Sequence, residues 1–185
     1  VNNHVWRVRR DYASGDLTSD AANYYGYTSA GDVTAEQIAT VKGQYEYDWM
    51  NWPAAWGAPY HDVDGDGSYD PNTDIPGYPG ADQTLWTIAN DVPLVVDAAG
   101  TILDTISTAP NLYGADPIGI ELQITMWGYA FGAGDPLGNM IFKKATMKYT
   151  GLPGGPADAS MDSLYFTQWS DPDLGTYTDD YVGCD

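Results

Sequence analysis

The sequence predicts a mainly β fold: an antiparallel β-sandwich with one helical insertion near its N-terminal end. Three observations carry that expectation. Short runs in which apolar and polar residues alternate recur along the chain. Only one stretch shows sustained helical spacing. The 21 glycines and 12 prolines gather in clusters that divide the remainder into turns. Residues 1–185 read as a single domain, because 185 residues suffice for one sizeable core and crowd two.

Taken in order, Val5-Trp6-Arg7-Val8-Arg9 alternates apolar with basic residues and predicts a first strand. Residues 11–31 mix Asp, Ser, Gly and Tyr and read as turns. The helix is expected over about 34–50. Thr34 and Gln37 have the spacing of a capping box, Ile38, Val41, Tyr45 and Trp49 share one face, and Pro53 ends the segment. Trp49, Trp52 and Trp56 are expected to anchor the helix and its exit.

An aspartate-rich loop follows, then the stiff connector Pro76-Gly77-Tyr78-Pro79-Gly80. Residues 85–89 predict a short strand, and 94–96 with 101–103 a hairpin around Gly100. The clearest strand is expected over 118–131. Ile118, Ile120, Leu122, Ile124 and Met126 point one way; Glu121, Gln123, Thr125, Trp127, Tyr129 and Phe131 point the other. Residues 140–149 and 163–169 predict further strands, separated by a Gly- and Pro-rich loop.

The charge is lopsided, with 7 basic against 26 acidic residues and a formal net of −19. That balance argues against nucleic acid and anionic membranes, which require a basic footprint. No run approaches the roughly 20 apolar residues of a membrane-spanning helix, so membrane insertion is not expected. Among the acids only Glu36, Glu46 and Glu121 are glutamates. An excess of aspartate mixed with Gly and Asn points to tight turns and to ligation of hard cations by short carboxylates. Cys184 stands alone, which rules out an internal disulfide and any paired-cysteine metal motif. The chain opens at Val1 without a leader, which predicts a mature or trimmed product.

Asp62, Asp64 and Asp66 are spaced two apart, with Gly67 at the position of a sharp turn. This is the first half of a D-x-D-x-D-G calcium loop, in which alternate carboxylates converge while the backbone curls around the ion. Ca²⁺ takes six to eight oxygens. The predicted ligand set is therefore Asp62, Asp64, Asp66, Ser68, Asp70 and Asp74, with a backbone carbonyl at Ser68 or Tyr69. The EF-hand's final Glu is missing, since Thr73 stands there, and no helical pattern flanks the loop on both sides. A fixed structural ion is expected rather than a sensor. A second acidic cluster, Asp171, Asp173, Asp179 and Asp180, forms either another cation site or a set of turn caps. Asp82, Asn90 and Asp91 are candidates to join either site through space.

Two long acidic motifs run in order along the chain. One extends from Asp62-Val63-Asp64-Gly65-Asp66-Gly67-Ser68-Tyr69-Asp70-Pro71 to Leu85-Trp86. The other extends from Gln168-Trp169-Ser170-Asp171-Pro172-Asp173-Leu174-Gly175 to Gly183-Cys184-Asp185. With Pro117-Ile118-Gly119-Ile120-Glu121 and Gly138-Asn139-Met140-Ile141-Phe142-Lys143, the chain resembles the N-terminal regions of large bacterial surface proteins exported by the type IX secretion system. The resemblance implies an extracellular or cell-surface location and supplies no activity. Such proteins run on to a C-terminal sorting domain, so the chain is expected to be a fragment or a processed product.

Three functions compete on the sequence. The first is a calcium-stabilised extracellular structural protein, a building block of a bacterial surface assembly, filament or adhesin. Its expected partners are copies of itself or other surface proteins. The second is a carbohydrate-binding module or glycan-active domain. Its support is 7 Trp and 15 Tyr against 3 Phe, a bias towards aromatics with a polar handle. Trp127, Tyr129 and Phe131 are then the candidate platform, against the alternative that they are covered core residues. The third is an enzyme with a carboxylate pair such as Asp171 and Asp173. His4 and His61 share no ligand spacing, and no GxSxG, P-loop or HExxH motif occurs.

Overall fold

The computed structural model describes residues 4–91, 94–96, 102–105, 117–132, 134–152, 154–156 and 158–168. Its elements are β1 (Trp6–Arg9), α1 (Thr18–Tyr25), α2 (Ala35–Met50), β2 (Tyr60–His61), β3 (Ile75–Pro76), β4 (Gln83–Asn90), β5 (Leu94–Val96), β6 (Ile102–Thr105), β7 (Ile120–Gly128) and β8 (Ile141–Tyr149). Strands β1, β4, β7 and β8 form a four-stranded sheet in that order, antiparallel throughout. β2 with β3 and β5 with β6 form two antiparallel ribbons. The chain is thus mainly β with antiparallel sheets.

The long strand is shorter than the expected 118–131, running from Ile120 to Gly128, but within those bounds its faces alternate as expected. β7 pairs with β4 so that Trp127 lies opposite Thr84, Thr125 opposite Trp86, and Gln123 opposite Ile88. β1 continues the same face, with Trp6 beside Trp86 and Val8 beside Thr84. This face carries the larger core: Val8, Trp52, Ala58 and Trp86 are buried, with Trp6, Trp49, Ala54, Tyr60, Tyr69 and Ile88 packed against them. Leu122, Ile124 and Met126 fall on the other face with Leu85, Thr87 and Ala89, all half-buried.

Helix α2 starts with both halves of the expected capping box: the Gln37 N–H donates to Thr34 Oγ1 at 3.3 Å and the Thr34 N–H to Gln37 Oε1 at 2.9 Å. The expectation of one helix is corrected, because α1 forms within the stretch assigned to turns. It is eight residues long, too short to show a periodic stripe. Its start is held by Asp16, which accepts from the Thr18 N–H, and Gly26 closes its end at φ 73°. Leu17 and Ala21 of this region pack on Val41 and Tyr45 of α2, and all four are buried. The strand expected at 163–169 is also corrected: residues 163–168 form no strand, and Ser163 at φ 59° breaks the extended run at its start. Trp169 lies outside the described residues.

Polar contacts fix the helices to the sheet. Arg9 of β1 donates to Asp11 at 2.6 Å and to Asp20 of α1 at 2.6 Å, and Tyr45 of α2 donates to the other Asp20 oxygen at 2.5 Å. Gln83 of β4 completes the junction with a bond to the Tyr45 hydroxyl at 2.9 Å. Burial and the Asp20 anion raise the Tyr45 phenol far above its ordinary range, so it remains a donor. Asp48, buried at 3 % exposure, accepts the outward-facing Arg7 N–H of β1 at 2.8 Å and meets His4 Nε2 at 2.8 Å. No helix among the described residues is long and apolar enough to cross a membrane.

Two stability predictions follow from these contacts. Asp48→Ala leaves the Arg7 N–H without its acceptor and is expected to cost about 1–3 kcal/mol by urea unfolding, whereas Asp48→Asn keeps an acceptor oxygen and costs less. The Arg9 guanidinium holds the Asp11 carboxyl below its ordinary value. Asp11 therefore contributes stability above about pH 4, and that contribution is lost as pH falls through its lowered folded value. Melting curves of the parent and Asp11→Asn should differ at neutral pH and converge in acid.

Candidate metal centre

The aspartate-rich segment is the closing loop of the β2–β3 ribbon, in which His61 pairs with Ile75 and Tyr60 with Pro76. Two flanking strands, rather than two helices, therefore bring residues 62 and 74 together. Inside the loop Gly65 and Gly67 adopt φ of 76° and 78°, a left-handed conformation that costs other residues about 1 kcal/mol or more.

Carboxylate oxygens of Asp62, Asp64 and Asp74 converge within 4.8 Å of one another. Asp62 accepts the Gly65 N–H at 2.7 Å and the Gly67 N–H at 2.9 Å. Asp74, only 2 % exposed, accepts from Val63 at 2.9 Å and from Asp70 at 2.8 Å, so it bridges both arms of the loop. Of the other predicted ligands, Asp66 accepts the Ser68 N–H at 2.7 Å and Asp70 the Asn72 N–H at 2.9 Å. Ser68 is exposed beside them.

The electrostatics follow from this arrangement. The Gly67 N–H, aided by that of Gly65, holds the Asp62 carboxyl below the usual range. The backbone and side chain of Asn72 do the same for Asp70. Asp64 moves the other way. The Asp66 N–H favours its anion, yet partial desolvation and the charges of Asp66, Asp74 and Asp62 prevail and raise it. Partial desolvation, reinforced by four of these aspartates, also raises the nearby Tyr60 phenol. Such a cluster suits a hard cation taken up by oxygen ligands.

The loop is fastened to the end of α2. Trp49 Nε1 donates to the Pro71 carbonyl at 3.1 Å, and the Tyr69 hydroxyl donates to the Trp49 carbonyl at 2.6 Å. Trp52 donates to the Pro59 carbonyl at 2.8 Å on the exit path. Trp56 departs from the expected anchoring role, since it is 61 % exposed. Asp82 and Asp91 have other work: Asp82 accepts from Ala130, and Asp91 accepts the N–H groups of Ile118, Gly119 and Ile120. His61 is exposed and lies outside the converging set.

The candidate platform is one end of an aromatic row. Trp127 stacks on Tyr78 with centroids 3.9 Å apart and planes at 7°, and lies 5.5 Å from Phe142. Tyr129 meets both Phe142 and Phe131. Tyr78 thus occupies a face of Trp127, while Phe131 is 48 % exposed. Asp171, Asp173, Asp179, Asp180 and Cys184 lie outside the described residues.

Sequence reasoning missed Asp48, because a carboxylate within the apolar face of α2 carries no signal until β1 brings an unpaired N–H to it. No protein-family model, curated protein or solved structure matches the chain.

In chelator, Asp74→Ala is expected to cost about 1–3 kcal/mol for the two N–H groups it leaves unpaired. Asp66→Ala, at an exposed turn, should remain within about 0.5 kcal/mol of the parent. Urea unfolding of the two variants checks the contrast.

Proposed function

We propose that the chain is a calcium-stabilised extracellular structural protein, a building block of a bacterial surface assembly, filament or adhesin. The observation that carries the calcium reading is the convergence of Asp62, Asp64 and Asp74 within 4.8 Å in a loop fastened to the helix. Three carboxylates at that separation repel one another, and a divalent cation converts the repulsion into attraction. Asp66, Ser68 and Asp70 are proposed to complete the oxygen shell. The D-x-D-x-D-G spacing and the oxygen-only donor set favour Ca²⁺ over softer metals.

The resemblance to surface proteins exported by the type IX system supports the extracellular location, where calcium is plentiful. Assembly with copies of itself or with other surface proteins is the role that fits an acidic, turn-rich chain with rigid Pro-Gly connectors. The sandwich architecture belongs to the same reading: the half-buried stripe of Leu122, Ile124 and Met126 is the surface that a second layer would cover.

The decisive variant is Asp64→Asn. Without calcium it removes a charge from a repelling cluster and is expected to raise the melting temperature; with calcium it removes a ligand and is expected to lower it. A saturating ion should stabilise the parent by about 2.7 kcal/mol at 100 times its dissociation constant. Identical shifts with calcium and with chelator, together with no bound metal by elemental analysis, would overturn the calcium reading. Electron microscopy of the calcium-loaded protein tests assembly, and strictly monomeric particles would count against it.

A further inference from the structure

Helix α2 turns Trp49 towards the aspartate loop and presents Gly43, Gln44 and Tyr47 to a separate recess of about 570 Å³. His4, Arg7 and Tyr24 form its other walls. The volume suits a small ligand. Its aromatic surface is open to solvent, with Tyr47 57 % and Tyr24 48 % exposed. Tyr47 lies nearly parallel to Trp6, with planes 11° apart and centroids at 6.3 Å, and keeps exposed ring surface beside the recess.

The polar groups of the recess are held in place before any ligand arrives. The Arg7 guanidinium lies over the rings of Tyr24 and Tyr45 at 5.5 and 5.4 Å, and donates to Gln44 Oε1 at 2.7 Å. Gln44 Nε2 donates to the Tyr24 hydroxyl at 2.9 Å, so the Tyr24 O–H proton remains available to donate. No carboxylate pairs with Arg7 in an ion pair among the described residues, although the chain has 26 acids.

Gly43 supplies an independent observation. Glycine inside a helix is less stable than alanine, and it is tolerated where backbone geometry or packing requires it. Neither does so here. Gly43 has ordinary helical backbone, and a Cβ built on it meets nothing within 4 Å. What the missing side chain does is widen the recess.

We propose that this recess binds a neutral hexopyranose unit of a glycan, its ring face on Tyr47 and its hydroxyls on Arg7, Gln44 and Tyr24. The chemistry selects that class. A cationic ligand meets the Arg7 guanidinium. A polyanion meets a chain of net charge −19 with Asp48 at the recess wall. An aliphatic ligand strips water from Arg7 and Gln44 without replacing their hydrogen bonds. A pyranose offers an apolar ring face and paired donors and acceptors together. The site is distinct from the Trp127, Tyr129 and Phe131 row and does not depend on the calcium reading.

The test uses the intact chain with methyl glycosides of glucose, galactose and mannose, and N-acetylglucosamine. Glucuronate and tetramethylammonium serve as charged probes. Saturation-transfer NMR and Trp fluorescence are the readouts, each recorded with calcium and with chelator. At least one neutral sugar is expected to bind at millimolar concentration. Tyr47→Ala should weaken it about tenfold or more, and Gly43→Leu should abolish it while the melting temperature holds or rises. The proposal is overturned if no neutral sugar binds the folded protein, if both variants bind as the parent does, or if a charged probe binds more tightly than every neutral one. Sugar binding that is equal with calcium and with chelator leaves this site standing even where the metal reading fails.

Discussion

The position of helix α2 over the β1 edge of the sheet is the constraint on which the rest depends. Two buried side chains of that helix set it. Tyr45 reaches Asp20 and Gln83, tying α2 to α1 and to β4, while Asp48 takes up the outward N–H of Arg7. Arg9, paired with Asp11 and Asp20, closes the same junction from the strand side. A carboxylate buried this deeply is stable only with its hydrogen bonds made. Helix and strand are consequently locked in one register, and a slip of either would strand a charge. The aspartate loop at one end of the helix and the aromatic recess along its flank both inherit that placement.

The two edges of the sheet are treated differently. At β1 the helix closes the edge, with Asp48 acting as acceptor where another strand would have paired. β8, at the other edge, carries Lys143, Lys144 and Lys148 in nine residues. Charged lysines on an edge discourage unplanned strand addition, and in a chain with only 7 basic residues their concentration there is an unequal use of positive charge. The interior strands β4 and β7, paired on both sides, carry no lysine or arginine.

The aspartate loop combines two opposed demands. Its backbone N–H groups are satisfied by the carboxylates of Asp62, Asp66, Asp70 and Asp74, which shape the turn locally. Those same carboxylates accumulate negative charge, and the raised Asp64 records the conflict. Trp49 and Tyr69 fasten this charged loop to the end of α2.

The strands β1, β4, β7 and β8, the capping box of α2 and the sharp turn at Gly67 were legible in the sequence, because each depends on neighbours within a few residues; the left-handed turn at Gly65 was found only in the structure. Period-two alternation fixes the faces of a strand, and a cap is complete within one helical turn. The acidic spacing likewise singled out Asp62 and Asp64. Short α1 was not legible: eight residues with few large apolar side chains gain their stability from contact with Val41 and Tyr45, not from their own pattern. Nor could sequence show that Asp74 is the buried member of the cluster, that Trp56 faces solvent, or that Tyr78 covers Trp127. Residues 4, 7, 24, 44, 47 and 48 meet at the recess only after β1, α1 and α2 are packed. Local periodicity determines what each segment becomes; which polar groups find one another across distant segments is decided by tertiary packing, where burial makes an unpaired group costly enough to select a single arrangement.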